Sequence, residues 1–224
     1  MKAMLLAAGQ GERMRPLTDD TPKPLLPVGG KPLIVHLIER LRGEGFDDLV
    51  INHAYLGERL TAVLGDGREL GVRIRYAPEP PGALNTGGGI RNALPLLGKA
   101  AFLVINGDIW TDFPFRRLAA GPQRLAHLVM VANPPHHPEG DFALVNGTLS
   151  EAGGLRLTFS GIGVYRPELF LLWDKGRFPL GALLREMAAR GEVTGEHYGG
   201  CWRDVGTPER LRKLDEQVRA ASDR

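Results

Sequence analysis

Short β-rich runs alternate with longer amphipathic segments along the first half of the chain, and this pattern constrains the fold more than any other feature. Strands are predicted at residues 3–7, 49–52, 72–76 and 102–105. Helices are predicted between them, at residues 32–41, 56–64 and 90–97. Parallel strands joined by right-handed helical crossovers have this order, and the loops after their carboxyl ends gather at one edge of the sheet. We therefore expect a ligand site at that edge.

The second half of the chain has a mixed pattern that we expect to extend the same sheet and cover its ligand edge. Strands are predicted at 125–132, 142–145 and 158–165, and helices at 180–190 and 208–219. No low-complexity linker or fixed-period repeat interrupts the 224 residues, so the sequence predicts one domain over residues 1–224. The predicted fold class is α/β: a Rossmann-like, mixed but mainly parallel sheet flanked by helices.

Composition excludes several classes of protein. The formal net charge is only +2 and no basic patch is apparent, which argues against nucleic acid or a membrane as partners. Cys201 is the only cysteine, so neither an intramolecular disulfide nor a multi-cysteine zinc site is possible. The apolar stretch at residues 3–8 is too short for a signal peptide. We expect a soluble, cytoplasmic protein, either a monomer or a small homo-oligomer.

A glycine-rich loop follows the first predicted strand. Gly9 and Gly11 allow backbone N–H groups to approach a phosphate chain, and Arg13 and Arg15 add fixed positive charge. A dinucleotide-binding loop is disfavoured because Met14 stands where a third glycine belongs, and no Gly-Lys-Ser or Gly-Lys-Thr closes a P-loop. The glycines alone are equally compatible with a structural turn, but the two arginines favour phosphate binding.

Lys23 lies between Pro22 and Pro24. The prolines predict a rigid, non-helical backbone from which the ammonium group is aimed in one direction. A solvated lysine on a rigid turn is the alternative, and the nearby phosphate-binding candidates favour the first interpretation.

Two aspartates, Asp108 and Asp204, are predicted at strand ends although they are far apart in sequence. Mg²⁺ prefers one or two carboxylates, several waters and phosphate oxygens, so this pair suits a magnesium site at one sheet edge. The alternatives are a turn-forming role for Asp108 and a hydrogen bond near the start of the last helix for Asp204.

Residues 6–18 (LAAGQGERMRPLT), followed by residues 22–25 (PKPL), closely resemble the signature of sugar-1-phosphate nucleotidylyltransferases, and the similarity extends from Met1 to the final predicted helix. The resemblance implies a nucleotidyltransferase type A-like fold, Mg²⁺ as cofactor, and a nucleoside triphosphate and a sugar 1-phosphate as substrates. It also implies roles for individual residues: Arg13 and Lys23 in catalysis at the phosphates, Asp108 and Asp204 as metal ligands, and Ala8, Gly9, Gly11 and Glu12 in nucleotide binding.

Residues 80–90 form a second glycine-rich segment, in which Thr86 is predicted to cap a helix. The resemblance implies that Thr86 and Gly87 help to bind the nucleotide. Asn85 departs from the pattern, because the similar uridylyltransferases carry glutamate there, and its role is left open. A purely structural connection to the helix is the rival interpretation of the glycines.

The sugar side is less well defined by sequence. By resemblance, Asn106, Gly140, Asp141 and Ser160 are expected to bind the sugar phosphate. The adjacent pair at residues 136–137 is predicted to face substrate or solvent rather than a metal ion, because neighbouring histidines in a proline-rich loop rarely converge on one ion. A Glu-Lys-Pro element present in many similar enzymes is missing.

Within the family, residues 106–112, 136–137, 140–142, 158–161 and 195–198 resemble bacterial uridylyltransferases of cell-wall recycling. This resemblance implies transfer of a uridylyl group from UTP to N-acetylmuramate 1-phosphate, giving UDP-N-acetylmuramate and pyrophosphate. The alternatives are a mannose-1-phosphate guanylyltransferase and a catalytically silent nucleotide-sugar-binding regulatory domain. A silent domain does not need the full set of Arg13, Lys23, Asp108 and Asp204, so their presence favours an enzyme.

Overall fold

The computed structural model describes residues 1–80, 84–173 and 176–222. Within these residues, nine strands form one mixed sheet in the order β5-β4-β1-β6-β11-β8-β12-β10-β9. The strands β5, β4, β1 and β6 are mutually parallel, whereas β11 is antiparallel to both β6 and β8. The predicted α/β class with a mixed sheet flanked by helices is therefore confirmed, and parallel pairing dominates only among the strands of the first half.

The strands have the following bounds: β1 Ala3–Leu6, β2 Pro27–Val28, β3 Lys31–Pro32, β4 Asp48–His53, β5 Arg73–Pro78, β6 Phe102–Asn106, β7 Ile109–Thr111, β8 Ala126–Val131, β9 Phe142–Val145, β10 Thr148–Ser150, β11 Arg156–Tyr165, β12 Val193–His197 and β13 Trp202–Asp204. The helices are α1 Leu33–Gly43, α2 Gly57–Leu64, α3 Asn85–Leu97, α4 Glu168–Leu171, α5 Leu180–Ala189 and α6 Pro208–Ser222. In the described residues, no helix is long and apolar enough to cross a membrane.

Helix α3 differs most from its prediction, because it begins at Asn85 and not at residue 90. The interpretation of Thr86 as a cap is wrong, since Leu84 is the residue that precedes the helix and no side chain caps it. Part of the predicted glycine-rich connection, residues 81–83, lies outside the described residues. The prediction of a non-helical backbone at Lys23 is also wrong, because Lys23–Leu25 forms a 3₁₀ turn.

Alternating side chains of the central strands fill two cores, one on each face of the sheet. On one face, Ala3 and Leu5 of β1 pack with the apolar side of α1 and α2. On the other face, Met4 joins buried residues of α3 and α5. Both faces of a parallel sheet are normally covered in this way, which explains why β1 and β6 are almost entirely apolar.

A third, smaller core joins the beginning of the chain to α6. Met14, Leu26 and Val28 from the first loop pack against Leu211 and Leu214 of the helix. The Gly29 N–H donates to Asp215 at 2.7 Å on the outside of this contact. Helix α6 therefore packs directly against the glycine-rich loop.

Candidate active site

The carboxyl ends of four parallel strands meet at one edge of the sheet. Leu6 of β1 is in register with Asn52 of β4 on one side and with Asn106 of β6 on the other. Asn52 is in turn in register with Ala77 of β5. The loops that follow these strands therefore start side by side, as the sequence predicts.

The glycine-rich loop folds back on itself over this edge. Gly11 has a φ of +66°, and a Cβ there would lie 2.9 Å from Cγ2 of Thr18. The buried Thr18 hydroxyl donates to the Gly11 carbonyl at 2.9 Å and closes the turn. A Cβ at Gly9, in contrast, would meet no protein atom within 4 Å and would point into open space. A ligand can therefore approach the backbone closely at Gly9.

This loop encloses a cavity of about 520 Å³. Gly9, Gly11 and Glu12 line it together with Arg13 and Lys23. Arg13 makes no ion pair or hydrogen bond with another described residue, so its guanidinium remains available to a ligand. Two cations and a run of backbone N–H groups suit a polyphosphate chain.

Lys23 and Asp108 form an ion pair inside the cavity. Nζ of Lys23 lies 2.5 Å from Oδ2 of Asp108, and only 12% of the lysine side chain is exposed. The backbone at Gly107 approaches β1 so closely that a Cβ there would lie 2.7 Å from the Leu6 carbonyl oxygen. Gly107 thus allows the turn that brings Asp108 to the lysine.

Asp108 and Asp204 are brought together by the two-stranded ribbon of β7 and β13. Asp204 is in register with Ile109, and the Val205 N–H donates to the Asp108 carbonyl at 2.9 Å. Oδ2 of Asp204 accepts a hydrogen bond from Nη1 of Arg210 at 2.8 Å. Asp204, the last residue of β13, therefore lies beside Asp108, which directly precedes β7.

The donor set fits a magnesium ion that is completed by substrate. Among the described residues, no three His, Cys, Asp or Glu side chains converge as a complete metal site. Asp108 and Asp204 line one common cavity, and each is paired with a cationic side chain, which shows that the position attracts positive charge. Mg²⁺ needs only one or two carboxylates when waters and phosphate oxygens supply its other ligands.

A second cavity, of about 220 Å³, lies beyond the glycine-rich loop. Ala8, Gly9 and Thr86 line it as predicted, with Asn52 and Glu79 added. These two residues were missed by sequence reasoning. The available signals were a polar residue at the end of the apolar run of β4 and an acidic residue directly after β5.

Gly87 does not line this cavity. Its N–H donates to the Phe178 carbonyl at 3.1 Å, and a Cβ would lie 2.3 Å from the Phe178 ring. Asn85 lines the cavity and has a φ of +58°. The structure thus gives Gly87 a packing role, and its predicted contact with the nucleotide stays a prediction.

The third cavity, of about 360 Å³, lies between β6, β11 and β13. Asn106, Asp141 and Ser160 line it as expected for the sugar side. Ser160 is buried and its hydroxyl donates to the Val129 carbonyl at 2.7 Å, so this hydroxyl is already used within the sheet. Gly140 does not line the cavity, and a Cβ there would come within 2.8 Å of Asn133, so its predicted contact with the sugar phosphate stays a prediction.

Both histidines of the 136–137 pair face the third cavity, but they point to different aspartates. Nε2 of His136 lies 3.5 Å from Asp204, and Nε2 of His137 lies 3.2 Å from Asp141. Oδ2 of Asp141 also accepts the Phe159 N–H at 2.8 Å. The histidines therefore do not converge on one point, as the sequence predicts.

Arg13 and Asp108 line both the loop cavity and the third cavity. The two spaces therefore meet at a cation and an anion that are both predicted to handle phosphate or metal. Two phosphate-bearing molecules, one in each cavity, would have their phosphates adjacent at this junction. This geometry suits transfer of a group between phosphates.

Comparison with known proteins agrees with this geometry. Residues 2–153 match the family model described as nucleotidyl transferase, and the chain belongs to this family. It is 51% identical over 222 residues to an N-acetylmuramate alpha-1-phosphate uridylyltransferase from Neisseria meningitidis, covering 95% of this chain and 96% of the relative. The expected resemblance to sugar-1-phosphate nucleotidylyltransferases, with this enzyme among its near relatives, is therefore confirmed.

Less similar proteins are named for other sugar phosphates and other nucleotides. A mannose-1-phosphate guanyltransferase from Aspergillus fumigatus is 40% identical over 233 residues, covering 93% of this chain but only 62% of the relative. A solved structure titled as a putative glucose-1-phosphate thymidylyltransferase from Bacillus anthracis matches with a TM-score of 0.85 at 24% identity, covering 98% of this chain and 95% of that one. The second match establishes the fold alone.

Proposed function

We propose that this protein, as one domain over residues 1–224, transfers a uridylyl group from UTP to N-acetylmuramate 1-phosphate and releases pyrophosphate. The observation that carries the proposal is the junction at Arg13 and Asp108, where the loop cavity and the third cavity share their lining. The 51% identity to an N-acetylmuramate alpha-1-phosphate uridylyltransferase supports the choice of substrates. The reaction would serve peptidoglycan recycling in the cytoplasm.

In the proposed reaction, a phosphate oxygen of the sugar 1-phosphate forms a bond to the α-phosphorus of UTP. The bond from that phosphorus to the bridging oxygen breaks, and the electron pair leaves with pyrophosphate. A phosphate monoester has its second pKa near ~6, so the attacking group is already ionised at neutral pH and no general base is needed. Catalysis therefore depends on positioning and on charge.

The side chains of the loop cavity would provide most of that charge. Arg13 and the backbone N–H groups at Gly9 and Gly11 would bind the β- and γ-phosphates and stabilise the departing pyrophosphate. Lys23 would hold a phosphate oxygen. Asp108 and Asp204 would hold Mg²⁺, which when bound neutralises charge on the reacting phosphates.

The 220 Å³ cavity would take the base and ribose. Glu79 lines it, and an ionised carboxylate only accepts hydrogen bonds. Uracil and guanine present a ring N–H on their pairing edge, whereas cytosine and adenine present a ring acceptor there. The Glu79 carboxylate therefore favours UTP or GTP over CTP and ATP. It does not separate UTP from GTP, so the preferred sugar phosphate must distinguish the main proposal from a mannose-1-phosphate guanylyltransferase.

A pyrophosphate-release assay tests the proposal. The protein is incubated with Mg²⁺ and each of UTP, GTP and CTP, combined with the 1-phosphates of N-acetylmuramate, N-acetylglucosamine and mannose. We expect release to be fastest with UTP and N-acetylmuramate 1-phosphate, and mass spectrometry to identify UDP-N-acetylmuramate. A preference for GTP and mannose 1-phosphate would support the guanylyltransferase instead. No release with any pair would support a silent binding domain.

A further inference from the structure

Asn52 is a polar side chain that directly follows the apolar residues 49–51 of β4, and it is only 2% exposed. Its Oδ1 accepts the Ala7 N–H at 2.9 Å, and its Nδ2 donates to Oε1 of Glu79 at 2.6 Å. The amide group of Asn52 thus links the start of the glycine-rich loop to the Glu79 carboxylate, which lines the 220 Å³ cavity. Both links are made at the edge where the nucleotide is proposed to bind.

Glu79 is held from two further directions. Its Oε2 accepts the Leu84 N–H at 2.9 Å, and its own N–H donates to the His53 carbonyl at 2.8 Å. Helix α3 leaves room for the carboxylate at Gly89, where a Cβ would lie 2.4 Å from Oε1 of Glu79 and 2.9 Å from Nδ2 of Asn52. Burial lowers the pKa of the adjacent His53, and the negative charge of Glu79 partly offsets this.

Position 52 needs a group that accepts from one side and donates to the other. The Ala7 N–H requires an acceptor, and the Glu79 carboxylate requires a donor. Aspartate supplies only acceptors when ionised and leucine supplies neither, whereas an amide of this length supplies both. A buried polar network of this kind is stable only when every member has its partner.

We infer that Asn52 is a positioning residue for nucleotide binding, which sets the backbone at Ala7 and the carboxylate of Glu79 relative to each other. The inference rests on the proposed function, because it takes the 220 Å³ cavity as the site of the base. Asn52 acts through Ala7 and Glu79 on the nucleotide, so its loss affects UTP binding and leaves the sugar side unchanged.

The test uses Asn52→Asp and a double variant in which the hydrogen bond is reversed. In Asn52→Asp, the new carboxylate still accepts from Ala7 but repels Glu79. In Asn52→Asp combined with Glu79→Gln, Nε2 of the new glutamine can donate to the new aspartate while its oxygen accepts from Leu84. A matched control is Thr194→Val, which removes a half-buried hydroxyl that bonds His127 and Ala126 at the far side of the sheet.

We expect Asn52→Asp to raise KM for UTP and the calorimetric Kd for UTP by about 10- to 100-fold, the range for a lost hydrogen bond to a charged group. KM for the sugar phosphate should change by less than about twofold, and the double variant should recover most of the loss in UTP affinity. Thr194→Val should leave KM for UTP unchanged even if its Tm falls.

The inference is overturned if Asn52→Asp raises both KM values equally, if it lowers only Tm, or if the double variant shows no recovery. Should Asn52→Asp fail to fold, Glu79→Gln alone is compared with the double variant, which must bind UTP more tightly than the single one. The wild-type assay separates this result from the proposed function: wild type without UTP-dependent pyrophosphate release refutes the function, whereas an active wild type with an insensitive Asn52 refutes only the inference.

Discussion

The side of the site proposed for the nucleotide and the side proposed for the sugar are built in different ways. On the nucleotide side, the parallel strands β1, β4, β5 and β6 end together, and polar groups such as Lys23 and Asp108 are already paired with each other. On the sugar side, the lining comes from scattered segments of an antiparallel region, and Ser160 already uses its hydroxyl within the sheet. Lys23 and Asp108, which are proposed to handle phosphate and metal, are therefore held by each other, whereas groups proposed to select the sugar, such as Asp141 and Ser160, are held separately by the backbone of the sheet.

Lys23 and Asp108 provide the strongest test of this difference. Because both groups are proposed to act on the phosphates, Lys23→Ala and Asp108→Ala should each lower kcat by about 100- to 1,000-fold, the range for removing one charge-stabilising group. Circular dichroism should show an intact fold, since the pair lies at the sheet edge and not in the core. Near-normal turnover in either variant would contradict the assignment.

Arg13 and Arg15 offer a comparison within one loop. Arg13 lines both cavities, whereas Arg15 points outward and pairs with the exposed Asp19 at 3.4 Å. Arg13→Ala should lower kcat/KM for UTP by about 10- to 100-fold. Arg15→Ala should change it by less than about twofold, because an exposed ion pair contributes little. Equal losses in steady-state assays would show that the loop acts only through its total charge.

Trp202→Phe tests the sugar side. Nε1 of Trp202 donates to the Ser160 carbonyl at 2.9 Å, and phenylalanine keeps a ring in the cavity while removing this donor. KM for the sugar phosphate should rise by about 2- to 10-fold, the effect of one hydrogen bond, with KM for UTP unchanged. A rise in KM for UTP would mean that the two sides are not independent.

The smallest expected effect concerns pH and two partly buried histidines, His53 beside Glu79 and His127 on β8. Burial lowers the pKa of His53 and of His127 from the ordinary value of 6.5. Below about pH 6.5 the unfolded chain therefore binds more protons than the folded protein does. The free energy of unfolding falls as the pH drops through this range. Denaturant titrations between pH 7 and pH 5 should show a shallower fall in His53→Gln and in His127→Gln. Unchanged slopes would rule out these histidines as the source.

The sequence allows Arg13, Lys23 and Asp108 to be proposed for phosphate and metal binding because glycine, proline and charge mark the segments that follow β1 and β6. Strand β12 is not predicted, because its sequence carries glycine, charge and histidine and it becomes a strand only by pairing with β8. Helix α3 begins earlier than its pattern indicates because Gly87 is required for contact with Phe178, not for flexibility. Glu79 was missed because its importance depends on Asn52, which is 27 residues away. Local spacing cannot show such long-range partners.

The small core between the glycine-rich loop and α6 has a consequence for the order of events during protein synthesis. The loop leaves the ribosome early, but Leu211 and Leu214, which cover Met14 and Val28, are made near the end of the described chain. Until α6 forms, the underside of the loop is an exposed apolar surface that chaperones and proteases recognise. The backbone that carries Arg13, next to Met14, is therefore fully packed only after α6 has docked. A chain that stalls before α6 would contain Arg13 and Lys23 and still lack the apolar packing beneath the loop.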